Sequence, residues 1–403
     1  MSARALEGVR VVEWGGGIGA AYATKLMADL GATVLKLEPP GHGDPTRCHG
    51  PFLRDEPHSE RSGLFLYLNT NKRGVTLDVG KPQGREVFTK LLARADVLVE
   101  SQPRSVWQDC TLDPTQLRST DPRLIITSVS PYGRTGDYCD FKGYDINVCA
   151  LGGISYSVGK PDREPLRLPL AQSEYQAGIA AAAGSVAALL ARQATGRGGE
   201  VDASGLDLFS TIHTAGAVTT FVFQGLTGLR AGHRRADLYP YTILPCKDGY
   251  FCLIAREGRQ WKRFLELMGS PAWAENPRYE NRRKIAEEYP DEVDALLIPW
   301  LMTRTKAELF EECRARQIPF APVLRIDEIV ESDQLRERGF FVTIAHPETG
   351  TLRYPGAPYQ FSRTPWTLSR PAPLLGEHND EVYTCELGLS PAELTELRRA
   401  AVI

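Results

Sequence analysis

The chain of 403 residues is short of the features that most readily assign a protein. Its eight cysteines (Cys48, Cys110, Cys139, Cys149, Cys246, Cys252, Cys313 and Cys385) are dispersed, with no C-x-x-C pair and no cysteine-dense segment. That pattern argues against a disulfide framework and against a zinc site, so no metal is expected. There is no positive excess either. Forty-seven Lys and Arg stand against 50 Asp and Glu, a net charge of -3, which leaves no general basic field for a phosphate backbone. Nucleic acid is therefore not an expected partner. Long apolar runs are also missing. The longest small-apolar stretch, Ala177 to Ala191, is interrupted by Gly184 and Ser185. It falls short of the roughly 18 to 20 apolar residues that a membrane span needs. The opening MSARALEGVRVVEW has no apolar segment behind a basic one, and no internal repeat or low-complexity tract occurs. The expectation is a cytoplasmic protein with no membrane partner.

What is present suits an ordinary globular chain: 42% hydrophobic and 24% charged residues supply a sizeable core, and the length suits two domains. The first forty residues predict a strand, turn, helix, strand unit. Val9 to Trp14 is β-rich, Gly15-Gly16-Gly17 breaks it, Ala20 to Leu30 is helical in pattern, Gly31 ends the helix, and Ala32 to Glu38 is the next strand. Further strands are predicted at Gly74–Asp78, Asp96–Glu100 and Leu124–Val129, with a helix over Gln83–Ala93 between the first two. This alternation predicts an α/β fold with a doubly wound, mostly parallel sheet. A long Ala-rich helix follows from Glu174 to about Ala194. Its texture then changes, and residues 225–328 read as a smaller α+β domain. It has a strand at Tyr250–Ile254 and helices near 259–268, 291–301 and 305–316. The expected layout is a large domain begun by residues 1–210, the small domain, and a Pro- and Gly-rich return to the large domain over 330–403 that closes with a helix at 391–400.

The glycine turn Gly15-Gly16-Gly17-Ile18-Gly19 invites a dinucleotide reading. The G-x-G-x-x-G fingerprint fails, because Gly17-Ile18-Gly19-Ala20-Ala21 is followed by Tyr22. What survives is an open glycine loop at the carboxyl end of a first parallel strand, where such sheets hold ligands. Asn69-Thr70-Asn71-Lys72-Arg73 sets two cations after two amides, a group that can hold phosphate. In order along the chain come Ala28-Asp29-Leu30-Gly31-Ala32, Leu37-Glu38-Pro39-Pro40-Gly41-His42-Gly43-Asp44-Pro45-Thr46-Arg47, Gly143-Tyr144-Asp145, and Thr195-Gly196-Arg197-Gly198-Gly199-Glu200-Val201-Asp202. Tyr239-Pro240, Asp248-Gly249, Ile318 to Val323, Gly376-Glu377-His378 and Leu387-Gly388-Leu389-Ser390 complete the set.

Nearly end to end, this ordered set resembles the class III CoA-transferases. That family includes formyl-CoA:oxalate, carnitine and benzylsuccinate CoA-transferases, with α-methylacyl-CoA racemases as relatives. The resemblance implies a Rossmann-like large domain built from both chain ends, a smaller domain, and two chains threaded together as an interlocked dimer. It implies coenzyme A or acyl-CoA as substrate together with a carboxylic acid. The family's nucleophile is an aspartate four residues before a glycine at the start of the Ala-rich helix. Here that glycine is Gly178 and the matching residue is Glu174. Ser173-Glu174-Tyr175-Gln176 also has the form of a helix capping box, a structural role for the same residue. The family's CoA contacts map onto Gly16, Ile18, Ser101, Gln102, Arg104 and Tyr144, with Lys72, Arg73 and Lys142 as nucleotide-side cations. Departures are visible: an acidic residue, Asn-Phe and Arg-Pro-Gly become Glu100-Ser101-Gln102-Pro103-Arg104-Ser105. The racemases' acid/base histidine is replaced by Tyr144, whose ordinary pKa near 10 suits proton abstraction poorly. The expected function is movement of CoA between carboxylic acids, by this chain alone as a homodimer or as the degenerate subunit of a heteromer with a homologous catalytic subunit. An acyl-CoA racemase or isomerase and a non-catalytic structural partner are the alternatives.

Overall fold

A pair of valines and a run of glycines shape the first strand, turn and helix. Arg10–Trp14 forms strand β1, Ile18–Asp29 helix α1 and Thr33–Glu38 strand β2. The computed structural model describes residues 4–213, 215–228 and 230–403. The first three residues of the expected 1–210 domain and Leu229 of the expected 225–328 domain lie outside them. Strand β3 (Arg73–Thr76), helix α2 (Pro82–Leu92), strands β4 (Val97–Glu100) and β5 (Ile125–Ser130), helices α3 (Asp145–Leu151) and α4 (Gln172–Thr195), and strand β6 (Glu200–Ser204) follow. The six strands form one parallel sheet in the order β3-β2-β1-β4-β5-β6. Val12 pairs with Leu35 on one side and Leu98 on the other. β4 is buried at every residue, as expected where helices cover both faces. Strand order reverses between β1 and β4, which opens a crevice at the carboxyl ends of those strands.

β6 was not among the expected strands, since Thr195–Asp202 reads as the end of the Ala-rich helix. The helix stops at Gly196, whose φ of +73° and N–H bond to the Arg192 carbonyl (2.8 Å) close its last turn. β6 then runs along the sheet edge, where polar Glu200 and Asp202 stay exposed and no apolar alternation is required. α4 is longer than its uninterrupted apolar stretch. With 24 residues it is long and apolar enough to cross a membrane by length and composition. Here one face packs along α1 and over β5 and β6, with Ala177, Ala181, Ala182 and Leu189 buried, while Ile179, Val186 and Leu190 stay exposed.

The chain divides into two compact units. One takes residues up to Ile154, Arg167–Phe223 and Gln334–Ile403; the other takes Ser155–Leu166 and Gln224–Asp333. The second unit contains strands β7 (Tyr241–Cys246), β8 (Gly249–Ile254) and β9 (Ala321–Pro322), all antiparallel, and helices α5 (Gly258–Leu267), α6 (Pro290–Leu301) and α7 (Lys306–Ala315). Phe251, Leu253, Phe264, Leu297 and Leu309 form its core. The last segment of the first unit begins with an antiparallel hairpin, β10 (Phe341–His346) and β11 (Gly350–Pro355). Surrounding prolines and glycines hide this hairpin in the sequence. Helix α8 (Pro391–Arg399) follows, started by a Ser390/Glu393 capping box. The chain end is tied to the sheet: Val402 accepts from the Asp78 N–H at 2.8 Å, and Tyr383, Leu394 and Leu397 share a core with Leu77 and Phe88.

Candidate active site

The carboxyl ends of β1, β4, β5 and β6 converge on a cavity of about 180 Å³ in the first unit. Gly16 reaches it after β1, Ser101 after β4, Ser130 and Pro131 at the end of β5, and Gly205 after β6. Tyr144 and Asp145 close it from the start of α3, and Ser173 and Glu174 from the start of α4. A second cavity of similar size, about 180 Å³, lies on the other side of the glycine turn. Leu37, Glu38, Pro39, Leu77 and Gln102 line it, and Gly16 borders both. The turn is built for close approach. A Cβ on Gly16 would stand 2.7 Å from the Pro45 ring, and Gly17 holds a φ of +88° that a side chain would strain.

Glu174 lies in the first turn of α4. Its Oε2 accepts the Ile18 N–H at 3.2 Å, so the carboxylate meets the first amide of α1. Two helix N-termini thus converge on one carboxylate, an arrangement that favours negative charge. Burial still wins and pushes the Glu174 carboxyl above its ordinary range. The Ile18 N–H opposes this, the nearby Asp145 charge adds to it, and His49 pulls it back slightly. A partly desolvated carboxylate is less comfortably solvated, hence more ready to attack an electrophile. The capping-box expectation fails. The helix starts at Gln172 with Ala171 as a cap residue that supplies no side-chain bond. Ser173 instead lies inside the first turn, and its hydroxyl donates to Asp145 Oδ1 at 2.8 Å.

Behind the glycine turn lies a fully buried charge network. Glu13 accepts from Lys36 Nζ (2.6 Å), Lys72 Nζ (2.8 Å) and the Thr24 hydroxyl (2.6 Å). Lys36 also binds Asp44 at 2.6 Å, and Asp44 accepts from Thr46 and, at 3.5 Å, from the Gly17 N–H. Burial alone would raise the Glu13 carboxyl, but the two ammoniums overcome it and hold the group down at about 2. For Lys72 burial is the larger effect and lowers its pKa.

These contacts correct part of the expected CoA site. Lys72 has no exposed surface, because its ammonium serves Glu13, the Ala21 carbonyl and Asn69; it is a core cation. Arg73 is paired with Glu381 and Glu386 from the chain's end, which takes its charge as well. Gly16, Ser101 and Tyr144 line the Glu174 cavity, Gln102 lines the second one, and Ile18 contributes its backbone N–H rather than its side chain. Arg104 and Lys142 are exposed and line neither cavity. Asp145 and Ser173 belong to the site but escaped the sequence reading. The sequence signal for Asp145 is the phrase Gly143-Tyr144-Asp145. Among the described residues no group of three or more His, Cys, Asp or Glu could hold a metal ion.

Comparison with known proteins bears on what this carboxylate-lined crevice does. The family model for CoA-transferase family III matches residues 6–379. The chain belongs to CoA-transferase family III. Similar curated members include a succinate–glutarate CoA-transferase of Agrobacterium fabrum, 31% identical with 98% of this chain and 97% of the relative covered. Subunit BbsE of the succinyl-CoA:(R)-benzylsuccinate CoA-transferase of Thauera aromatica is 33% identical over 98% of this chain and 97% of its own length. A formyl-CoA:oxalate CoA-transferase of Streptomyces coelicolor is also 33% identical, with both chains fully covered. The solved structure of a CaiB/BaiF family protein from Brucella suis matches the fold with a TM-score of 0.86 at 27% identity, covering 98% of this family III chain and all of that one. The six-stranded parallel sheet is therefore the family's sheet, and CoA thioesters are the substrates on which the family works.

Proposed function

We propose that this chain moves CoA between an acyl-CoA and a free carboxylic acid, with Glu174 as the nucleophile. The observation that carries the reading is the position of Glu174: its carboxylate lines the cavity at the strand ends and is held by the Ile18 N–H at 3.2 Å. A Glu174 oxygen attacks the donor's thioester carbon, the C–S bond breaks, and CoA leaves as thiolate with the electron pair. The thiolate then attacks the Glu174 carbonyl of the mixed anhydride, releasing the donor acid and leaving CoA on Glu174 as a thioester. The acceptor carboxylate attacks the carbonyl of that thioester, the C–S bond breaks and a second mixed anhydride forms; the expelled CoA thiolate then attacks the acceptor's carbonyl, and the Glu174 carboxylate leaves with the electron pair, free for the next cycle. When Glu174's own carbonyl is attacked, charge develops on an oxygen that the Ile18 N–H already reaches, the position in which a fixed donor contributes most.

Gly16, bordering both cavities, supports a CoA arm that passes beside the glycine turn toward Glu174. Exposed Arg104 and Lys142, in place of Lys72 and Arg73, are the cations we assign to the nucleotide phosphates. We also assign the working state to an interlocked dimer with a second copy or a close homologue. Exposed Ile179, Val186 and Leu190 on α4, and Phe221, Val222 and Phe223 on the helix Ala215–Gln224, support this as apolar surface that a partner would cover. A folded monomer at micromolar concentration in sedimentation would refute it. One observation favours a second reading, in which this chain is the degenerate member of a heteromer. A 33% identical relative is named as one subunit of a transferase, and this chain carries Glu where an aspartate is expected. Intact-mass spectra after incubation with acyl-CoAs separate the readings. A CoA adduct that hydroxylamine releases, leaving a hydroxamate on Glu174, supports catalysis by this chain; an adduct found only on a co-purifying homologue supports the subunit reading.

A further inference from the structure

Resting on the assignment of Glu174 as nucleophile, we infer that Asp145 is a positioning residue that sets both the direction and the charge state of Glu174. Ala171 gives α4 no side-chain cap, so the first-turn amides need an outside acceptor. Asp145 supplies it from α3, 28 residues earlier in the chain: Oδ1 takes the Ser173 N–H at 2.7 Å and the Ser173 hydroxyl at 2.8 Å. Two bonds from one oxygen to one residue fix that residue's backbone and side chain together. The next residue is Glu174, and its carboxylate must aim at the Ile18 N–H across the cavity.

The other Asp145 oxygen, Oδ2, is buried and receives no N–H or O–H, although Asp145 lines the same cavity as Glu174. Burial first, then the Asp145 charge and a hydrogen bond to Asp145, push the Cys149 thiol up to about 11, so it remains protonated. The groups that act on Glu174 are the Ile18 N–H, Asp145 and His49, with Tyr175 as its chain neighbour. Asp145 is the anion among them. Two carboxylates facing one small cavity oppose each other's ionisation, and the one with fewer donors yields. Asp145 has the Ser173 N–H and hydroxyl as donors, besides the Cys149 thiol, and Glu174 has the Ile18 N–H. Glu174 is thereby the less stabilised anion of the two, the property wanted in a carboxylate that must attack.

Asn in place of Asp145 keeps an oxygen for both Ser173 bonds and loses the charge, while Ala loses both. The test titrates Glu174 in full-length protein carrying glutamate labelled with 13C at Cδ, its resonance identified by its loss in Glu174→Gln. Removing a neighbouring anion favours ionisation, so Glu174 is expected to titrate at lower pH in Asp145→Asn and in Asp145→Ala. The second readout is exchange of 13C-succinate into succinyl-CoA, with acetate and acetyl-CoA as a parallel pair. Asp145→Asn is expected to lower kcat by about threefold or more, because a Glu174 relieved of the neighbouring anion is the weaker nucleophile, and to move the acid limb of the pH profile downward. Asp145→Ala is expected to lose about tenfold or more in kcat with KM little changed, because the lost contact orients the reacting group rather than binding substrate. An unmoved Glu174 titration in both variants overturns the inference, as does wild-type kcat in Asp145→Ala. Retained exchange in Glu174→Ala overturns the nucleophile assignment instead. Exchange abolished in Glu174→Ala, with both Asp145 variants behaving as wild type, overturns only the role of Asp145.

Discussion

Replacing Glu174 by Gln, Ala and Asp separates its chemical contribution from its structural one. Gln keeps the shape and removes the nucleophilic charge, so CoA exchange should fall to background. Asp keeps the charge but draws the oxygen back by about 1.5 Å, one carbon–carbon bond. From a starting distance of 3.2 Å to the Ile18 N–H, that retreat breaks the hydrogen bond. A misplacement on the ångström scale costs about a hundredfold in rate, equivalent to about 2.7 kcal/mol of activation free energy. Stability should respond differently. Burial raises the folded-state pKa of Glu174, so the folded chain holds this proton more tightly than the unfolded chain does. The ionised side chain therefore costs stability once the pH rises through that raised pKa. Glu174→Gln removes this cost but also loses a helix-dipole contact worth about 0.3–1 kcal/mol. The two effects oppose each other, so the loss in stability is smaller than the dipole contact alone would give. The difference between variant and wild type should move in the variant's favour as pH climbs from about 4.5. Urea unfolding at several pH values, run beside isotope exchange, measures both quantities. Exchange within about tenfold of wild type in Glu174→Gln refutes the nucleophile assignment. A Glu174→Asp variant faster than wild type refutes the geometric argument.

Glu13→Ala should destabilise the chain by about 3–5 kcal/mol in denaturant unfolding, since it leaves the buried ammoniums of Lys36 and Lys72 without their shared carboxylate. Because Glu13 is held down at about 2 in the folded state, its stabilisation is complete above the ordinary carboxylate pKa and is lost as pH falls from about 4.5 toward 2; acid unfolding should steepen across that window and flatten in the variant. Gly178→Ala should lower both melting temperature and exchange activity, at a cost of about 1–3 kcal/mol, because the new Cβ would meet the Gly19 carbonyl at 2.6 Å and drive α4 off α1. Charge reversal at Arg104 and Lys142 together should weaken acyl-CoA binding in calorimetry, and the loss should shrink at high salt; unchanged affinity sends the nucleotide site elsewhere.

The sequence alone carried the local code of the parallel sheet. Buried aliphatic runs at Val11–Val12 and Val97–Val99, a glycine turn after the first strand and Gly31 past the first helix are written in neighbouring residues, where propensity and periodicity act. The ordered motifs likewise pointed to the CoA-transferase family and to Glu174, because the resemblance depends on residue order along the chain. β6 and the β10–β11 hairpin were not legible. An edge strand and a two-stranded hairpin are held by partners distant in sequence or by a turn, and need little apolar alternation of their own. Tertiary structure also decided the fate of the charges. Lys72 and Arg73 are adjacent cations in the sequence, yet one is consumed by Glu13, 59 residues away, and the other by Glu381 and Glu386 at the far end of the chain. Asp145 became a partner of Glu174 only because α3 and α4 begin at the same cavity, setting its oxygen 2.7 Å from an amide 28 residues away. Whether an ionisable group is a ligand, a nucleophile or a core ion pair depends on what the fold brings within hydrogen-bond reach and on how much water it leaves there.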